Sequence, residues 1–167
     1  MRRLINVDEL DYFYKIIGKS IWHLQYVEDA LIKMIFIKGI AKEKGAFQEP
    51  EANKLLSKLN KLTLGQLIKR AIELQVTSPE LIERLTALNK DRKWLVHNSW
   101  RESGEGLYTD TGRQYFFNRC EAFIEKSLAL QKAIQEDLMD YTISKGATRD
   151  TLYGIAHKKL NKLMGEA

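Results

Sequence analysis

From Asp8 to about Lys38, Leu10, Phe13, Tyr14, Ile17, Ile21, Leu24, Leu31 and Ile35 recur at steps of three, four or seven, which traces one face of a long helix. Such a helix needs other long apolar faces to pack against, and the chain offers two. Leu81, Leu85, Leu88 and Leu95 form one line, continued by Ser99. From about Arg113 to Lys145, where Gly146 ends the helix, Phe116 or Phe117, Cys120, Phe123 or Ile124, Ser127, Leu130 or Gln131, Ile134 and Leu138 form another. Nowhere does apolar and polar alternation run long enough to require a sheet, and Gly106 to Thr109 is at most a short extended piece. The pattern predicts an all-α fold: an antiparallel helical bundle with extra short helices and a C-terminal helix.

The shorter segments follow from local chemistry. Gly39, Gly45 and Pro50 among alternating charges mark Gly39 to Glu51 as a connection, after which Ala52 to Leu62 reads as a short helix. Thr63 and Gln66 match a capping box that opens a helix to about Leu74, and Thr77, Ser78, Pro79 and Glu80 start the helix carrying the Leu81 line. Gly104, Gly106 and Gly112, with Asp110 and Thr111, predict a mobile loop from Glu102 to Gly112 that could fold over a site. Thr148 to Met164 is a final helix with Leu152, Ile155, Ala156, Leu160 and Leu163 as its apolar side and Lys158, Lys159 and Lys162 toward water.

With 167 residues, 44% hydrophobic and 29% charged, and two prolines, the chain suits a single compact domain over residues 1–167, with its core at about 8–145 and the C-terminal helix at about 148–164. A net charge of +5 favours an anionic partner. Cys120 has no second cysteine to pair with, and no cysteine and histidine cluster has zinc spacing, so neither metal nor cofactor is called for and a reducing cytoplasm fits. The first residues, Met1 to Leu10, lack the apolar run of a secretory signal. The greasiest stretch, Ala30 to Ile40, is broken by Lys33 and Lys38 and is too short to span a bilayer, so no membrane partner is expected.

Two charges fall inside the apolar lines. Glu28 lies in the first stripe, where a buried carboxylate would need a partner such as an arginine across the bundle; the alternative is a boundary residue. Arg92 occupies the step between Leu88 and Leu95, as an ion-pair partner inside the bundle or a charge presented where a subunit or substrate arrives. Arg92, Lys93, Trp94, Leu95, Val96 and His97 spell R-x-x-x-x-H. Histidine as a residue type moves protons near neutral pH, and arginine stays charged and matches phosphate geometry, so the pair suits phosphodiester chemistry.

Five residues on an ideal helix turn through about 140°, so Arg92 and His97 do not share a face. They could converge if Arg92 reaches around, if the helix distorts, or if a second subunit brings its own motif opposite. His97 does share a face with Lys90, Lys93, Trp94, Trp100 and Arg101, a surface whose cations suit phosphates and whose indoles suit base stacking; the structural alternative is two core tryptophans with a solvated lysine rim. His23 and His157 read as surface or boundary residues, and Cys120 as a small core residue without catalysis.

Over residues 8–140 the long first helix, the Leu81 to Trp100 helix with its Arg92 and His97, and the long helix that follows resemble the HEPN family of helical bundles, whose ribonuclease members carry R-x(4–6)-H. The family often has asparagine directly after the arginine, where this chain has Lys93, and Asn98 is the candidate to serve in its place. The resemblance implies a HEPN-type bundle and metal-independent RNA cleavage in a homodimer whose two motifs line one groove. In it Arg92 and His97 would be catalytic, and Lys90, Lys93, Asn98, Trp100 and Arg101 would bind substrate. It further implies 2′,3′-cyclic phosphate ends, a role as toxin or defence effector, and an antitoxin or inhibitor partner.

Two other readings fit the same residues. One is a non-catalytic HEPN-like module that binds RNA or nucleotide or serves in dimerisation. The other is a helix-turn-helix DNA binder with Leu64 to Leu74 as first helix, Val76 to Pro79 as turn, and Arg84, Lys90, Arg92 and Lys93 facing DNA. Its recognition helix would be long, would carry Trp94, Leu95, Val96 and Trp100, and would follow a turn without glycine.

Overall fold

The computed structural model describes residues 2–43 and 45–165; Met1, Lys44 and residues 166–167 lie outside it, Lys44 within the connection expected between Gly39 and Glu51. Helix α1, Val7–Met34, begins with Asn6 and Glu9 in a capping box and continues through a wide π-helical segment, Ile35–Ala41. Helices α2 (Glu49–Leu59), α3 (Leu64–Glu73) and α4 (Pro79–Lys93) follow. Thr63 and Gln66 make the expected reciprocal cap on α3, and Ser78 caps α4 ahead of Pro79. A second π-helical turn, Trp94–Asn98, leads into α5 (Ser99–Ser103) and a 3₁₀ turn, Gly106–Tyr108. Helix α6, Asp110–Ser144, and α7, Arg149–Met164, complete an all-helical chain, with one isolated β-bridge, Arg2 to Thr109, among the described residues.

The largest contact joins α1 to α6. Phe13 stacks on Phe116 at 4.7 Å near the start of both helices, and Lys38 pairs with Asp137 at 2.6 Å near the end of both. The two helices therefore run parallel. Helix α4 runs against both: Asp91 meets Lys126 at 2.7 Å, while Trp94 packs on Phe116. In this up, down, up course each long helix runs antiparallel to the one before it, which makes the first and third parallel, and α3 packs against α1 and α4.

The buried face of α1 is also shifted. Ile16, Ser20, Leu24, Val27, Leu31 and Met34 are buried, whereas Tyr14 and Ile21 are exposed. Ser20 meets Cys120 of α6, and Ser127 lies two turns further along that helix, all three fully buried, so small side chains line this face. The two serine hydroxyls donate to carbonyls one turn back, Ile16 and Phe123, each at 2.8 Å, so neither is left unsatisfied.

The glycine-rich stretch from Glu102 to Gly112 is not a loop. Ser103 and Leu107 are buried, and Gly112 lies so close to the Gly106 backbone that a Cβ there would collide with its carbonyl. Glycine serves close approach here rather than mobility. Likewise Gly39 is buried against Leu74 and Val76, which is why the helical path runs on to Ala41 instead of turning at Gly39. The apolar side of α7 stays in water, with Ile155, Leu160 and Leu163 exposed. No helix among the described residues is long and apolar enough to cross a membrane.

One ionic cluster fixes the start of the bundle. Arg113, 2% exposed, meets Glu9 of α1 at 3.1 Å, pairs with Asp110, and donates to the Leu107 carbonyl at 2.6 Å. Arg3 reaches the same two carboxylates, Glu9 at 2.7 Å and Asp110 at 2.8 Å. The Arg3 guanidinium, then the Asn6 N–H, hold the Glu9 carboxyl down to about 2, and Arg113 followed by Arg3 lowers Asp110. A carboxylate depressed in the folded state adds stability above its unfolded range and loses it as pH falls toward the folded value. Thermal unfolding is therefore expected to show stability roughly level from neutrality to about pH 5 and falling toward pH 2, with Glu9→Gln less stable than wild type at pH 7 but less acid-sensitive. Arg113→Met should cost about 1 to 3 kcal/mol in denaturant unfolding, because it leaves the buried Leu107 carbonyl without its donor while Glu9 and Asp110 keep Arg3; an acid profile for Glu9→Gln identical to wild type would contradict this account.

Candidate functional site

The Leu81 line is buried as the spacing requires, with Leu85 and Leu88 near zero exposure. At Trp94 the backbone widens to the π form, which admits one more residue to the turn, so both Trp94 and Leu95 face the core. Trp94 is thus a core residue, not part of the exposed face shared with His97. Its ring is covered by the Arg119 guanidinium at 3.6 Å and by Phe116 at 5.7 Å, and Arg119 also pairs with Glu102 at 3.6 Å. The widened turn closes at Asn98, whose φ of −121° and ψ of −14° depart from helical values.

The distortion bears on the motif. A π turn advances each residue by roughly 80° instead of about 100°, which narrows the angle between Arg92 and His97 from about 140° to roughly 90°. The two side chains still differ in setting. His97 is exposed, together with Lys90, Lys93, Trp100 and Arg101, and Asn98 is half-buried. Arg92 is half-buried, and its Nε is enclosed with no hydrogen-bond partner among the described residues.

Arg92 points into a polar seam between α1, α3 and α4. Glu28 lies across from it on the half-buried edge of α1, and burial pushes its carboxyl above the usual range, while Arg92 and then the Leu64 N–H at the start of α3 pull it down. Asn89, one turn before Lys93, abuts Gly65 in the same place, where an added Cβ would come within 3.1 Å of Asn89 Nδ2. The expected partnership of Glu28 with an arginine across the bundle is therefore electrostatic. Asn89 and Arg119 went unread in the sequence: Asn89 resembles any polar residue beside a leucine line, and Arg119 sits one step off the Phe116 and Cys120 stripe.

The remaining candidates fall outside this seam. His157 is exposed, and His23 is half-buried beside Tyr26 with ring centroids 5.9 Å apart. Burial pushes the Cys120 thiol up to about 11, which leaves it protonated and unreactive at neutral pH. Of the four cations assigned to a DNA face, Arg84, Lys90 and Lys93 are exposed, but Arg92 turns inward.

Because burial is the leading influence on Glu28, its folded carboxyl titrates above the unfolded one, and stability is highest below the unfolded range and declines as pH rises through the folded value. Glu28→Gln should accordingly melt no lower than wild type at pH 7, with any advantage vanishing toward pH 4; a clear drop at pH 7 in calorimetry would show that attraction to Arg92 outweighs desolvation. No family model matches this chain, and neither does any curated protein or solved structure.

Proposed function

We propose that the chain is a metal-independent endoribonuclease of the HEPN type, working as a homodimer and as a toxin or defence effector held in check by a partner protein. The observation that carries this reading is the π-helical turn that begins two residues after Arg92 and contains His97, since such insertions occur frequently at functional sites and this one narrows the angle between the two side chains. The exposed cations Lys90, Lys93 and Arg101 on the His97 side supply the field that a polyanion requires.

In the proposed reaction the ribose 2′-oxygen attacks the adjacent phosphorus. The new 2′-O–P bond forms as the P–O5′ bond breaks, leaving a 2′,3′-cyclic phosphate and a 5′-hydroxyl. The 2′-hydroxyl proton is removed and a proton is delivered to O5′; His97 is assigned one of these transfers, and the His97 of a second subunit can supply the other. Arg92 stabilises charge on the phosphorane oxygens, for which its guanidinium must turn its outer nitrogens toward the groove while Nε stays enclosed.

The same enclosure favours one rival, a non-catalytic HEPN-like RNA-binding or dimerisation module in which Arg92 is purely an ion partner of Glu28. Incubating wild type, Arg92→Ala and His97→Ala with total and transfer RNA in EDTA separates the two. Cleavage by wild type, with cyclic phosphate ends, is expected to fall by about 10² to 10⁴ fold in His97→Ala and to be lost in Arg92→Ala. Intact RNA in every lane, with all three proteins folded and free of inhibitor, would move the assignment to the rival.

A further inference from the structure

One helical turn beyond His97, the chain leaves a cleft of about 460 Å³ between α5, the 3₁₀ turn and the segment entering α1. Its walls are Leu4, Phe13, Tyr14, Trp100, Leu107 and Tyr108, and no charged side chain lines it. Three of its aromatic rings face solvent to an unusual degree: Trp100 is 69% exposed, Tyr14 62% and Tyr108 48%.

The cleft is held open by the fold. On one side the Trp100 ring lies over Gly104, where a Cβ would stand 2.8 Å from the Trp100 carbonyl oxygen and 3.8 Å from the ring. On the other, the Arg3 N–H donates to the Tyr108 carbonyl at 2.8 Å, and the Arg3, Glu9, Asp110 and Arg113 cluster ties the entering segment to the 3₁₀ turn. Both walls therefore rest on the core, which limits the ordering that a ligand would have to impose.

Charge is segregated around it. The cleft is uncharged and aromatic, while Lys93 and Arg101 flank His97 and Trp100 on the exposed helical surface. An uncharged planar ring tethered to a phosphate matches that division: the ring between aromatic faces, the phosphate among cations. Trp100 is about 4.5 Å from His97 along the helix axis, within the span of one nucleotide.

We infer that the cleft between Trp100, Tyr14 and Tyr108 is a nucleobase subsite that takes an unpaired base beside the phosphodiester presented to His97. The inference rests on the ribonuclease reading and adds to it the substrate class: single-stranded RNA, gripped by stacking rather than by base-edge recognition.

Equilibrium binding of a fluorescein-labelled single-stranded oligoribonucleotide tests it, using His97→Ala as the parent to slow cleavage and an oligonucleotide checked intact after each titration, with Trp100→Ala and Trp100→Phe added to that parent and light scattering on each protein. Trp100→Ala is expected to bind roughly tenfold more weakly and Trp100→Phe to restore most of the loss, as stacking energies of one base predict. An oligonucleotide with one abasic position should weaken binding by the parent and leave Trp100→Ala nearly unaffected. Unchanged affinity in Trp100→Ala, equal sensitivity of both proteins to the abasic position, or conversion of a dimer to a monomer in Trp100→Ala would overturn the subsite, the last by making this face a subunit contact. If the parent binds RNA and wild type cuts it while Trp100→Ala binds normally, the subsite alone falls; if the parent binds no RNA and wild type leaves RNA intact, the ribonuclease reading falls with it.

Discussion

A guanidinium and a carboxylate taken out of water together set the register of this bundle. Arg113 on α6 and Glu9 on α1 satisfy each other only at one axial offset, and with Lys38 and Asp137 at the far ends the parallel seam is pinned twice. Arg113, buried at this end, would carry the desolvation cost of an unpaired charge if it lost its carboxylates, and the half-buried Lys38 and Asp137 pair opposes sliding at the other end. Glu9 also closes the α1 capping box and engages Arg3, so one carboxylate couples the helix start, the entering segment and the α6 start. The position of everything between those points, including the 3₁₀ turn, depends on it.

With that end fixed, packing along the seam can be close. Ser20, Cys120 and Ser127 are where large side chains would hold the helices apart, and their polar atoms are returned to their own helices or to one another. Helix α4 packs against α6 and α3, and its inward row of Leu81, Leu85 and Leu88, continued by Leu95, is buried there. Arg92 stands in that row because Glu28 and the start of α3 offer it a polar seam where the others meet hydrocarbon.

Much of this was legible because it is written in short-range chemistry. The Thr63 and Gln66 cap, the Ser78 and Pro79 start, the α6 stripe and the break at Gly146 are local signals, and the helices begin and end close to where those residues stand. The choice of Ile16 and Ser20 over Tyr14 and Ile21 depends on what lies opposite: a serine buried against a cysteine looks polar in isolation. Gly104, Gly106 and Gly112 are ambiguous in the same way, since glycine permits both a loose loop and the tightest backbone contact. In the candidate site the interruption of the leucine line by Arg92 and the placement of Glu28 could be read, but the π turn could not, because no residue pattern distinguishes it from ordinary helix.

What holds that turn is packing, and this links the motif to the core. A π segment has weak intrinsic preference, and here it is stabilised by delivering two adjacent large side chains, Trp94 and Leu95, to the interior. Burying a large apolar side chain contributes about 1.5 to 3 kcal/mol. Trp94 is clamped in turn by Arg119 and Phe116 on α6. The angle between Arg92 and His97 is therefore governed by how an indole fits against α6, two residues beyond the arginine. A substitution that shrank Trp94 would let the turn revert toward ordinary helix and swing His97 away from Arg92 without altering either residue. The packing of the π turn on α6 thus also sets the angle between Arg92 and His97.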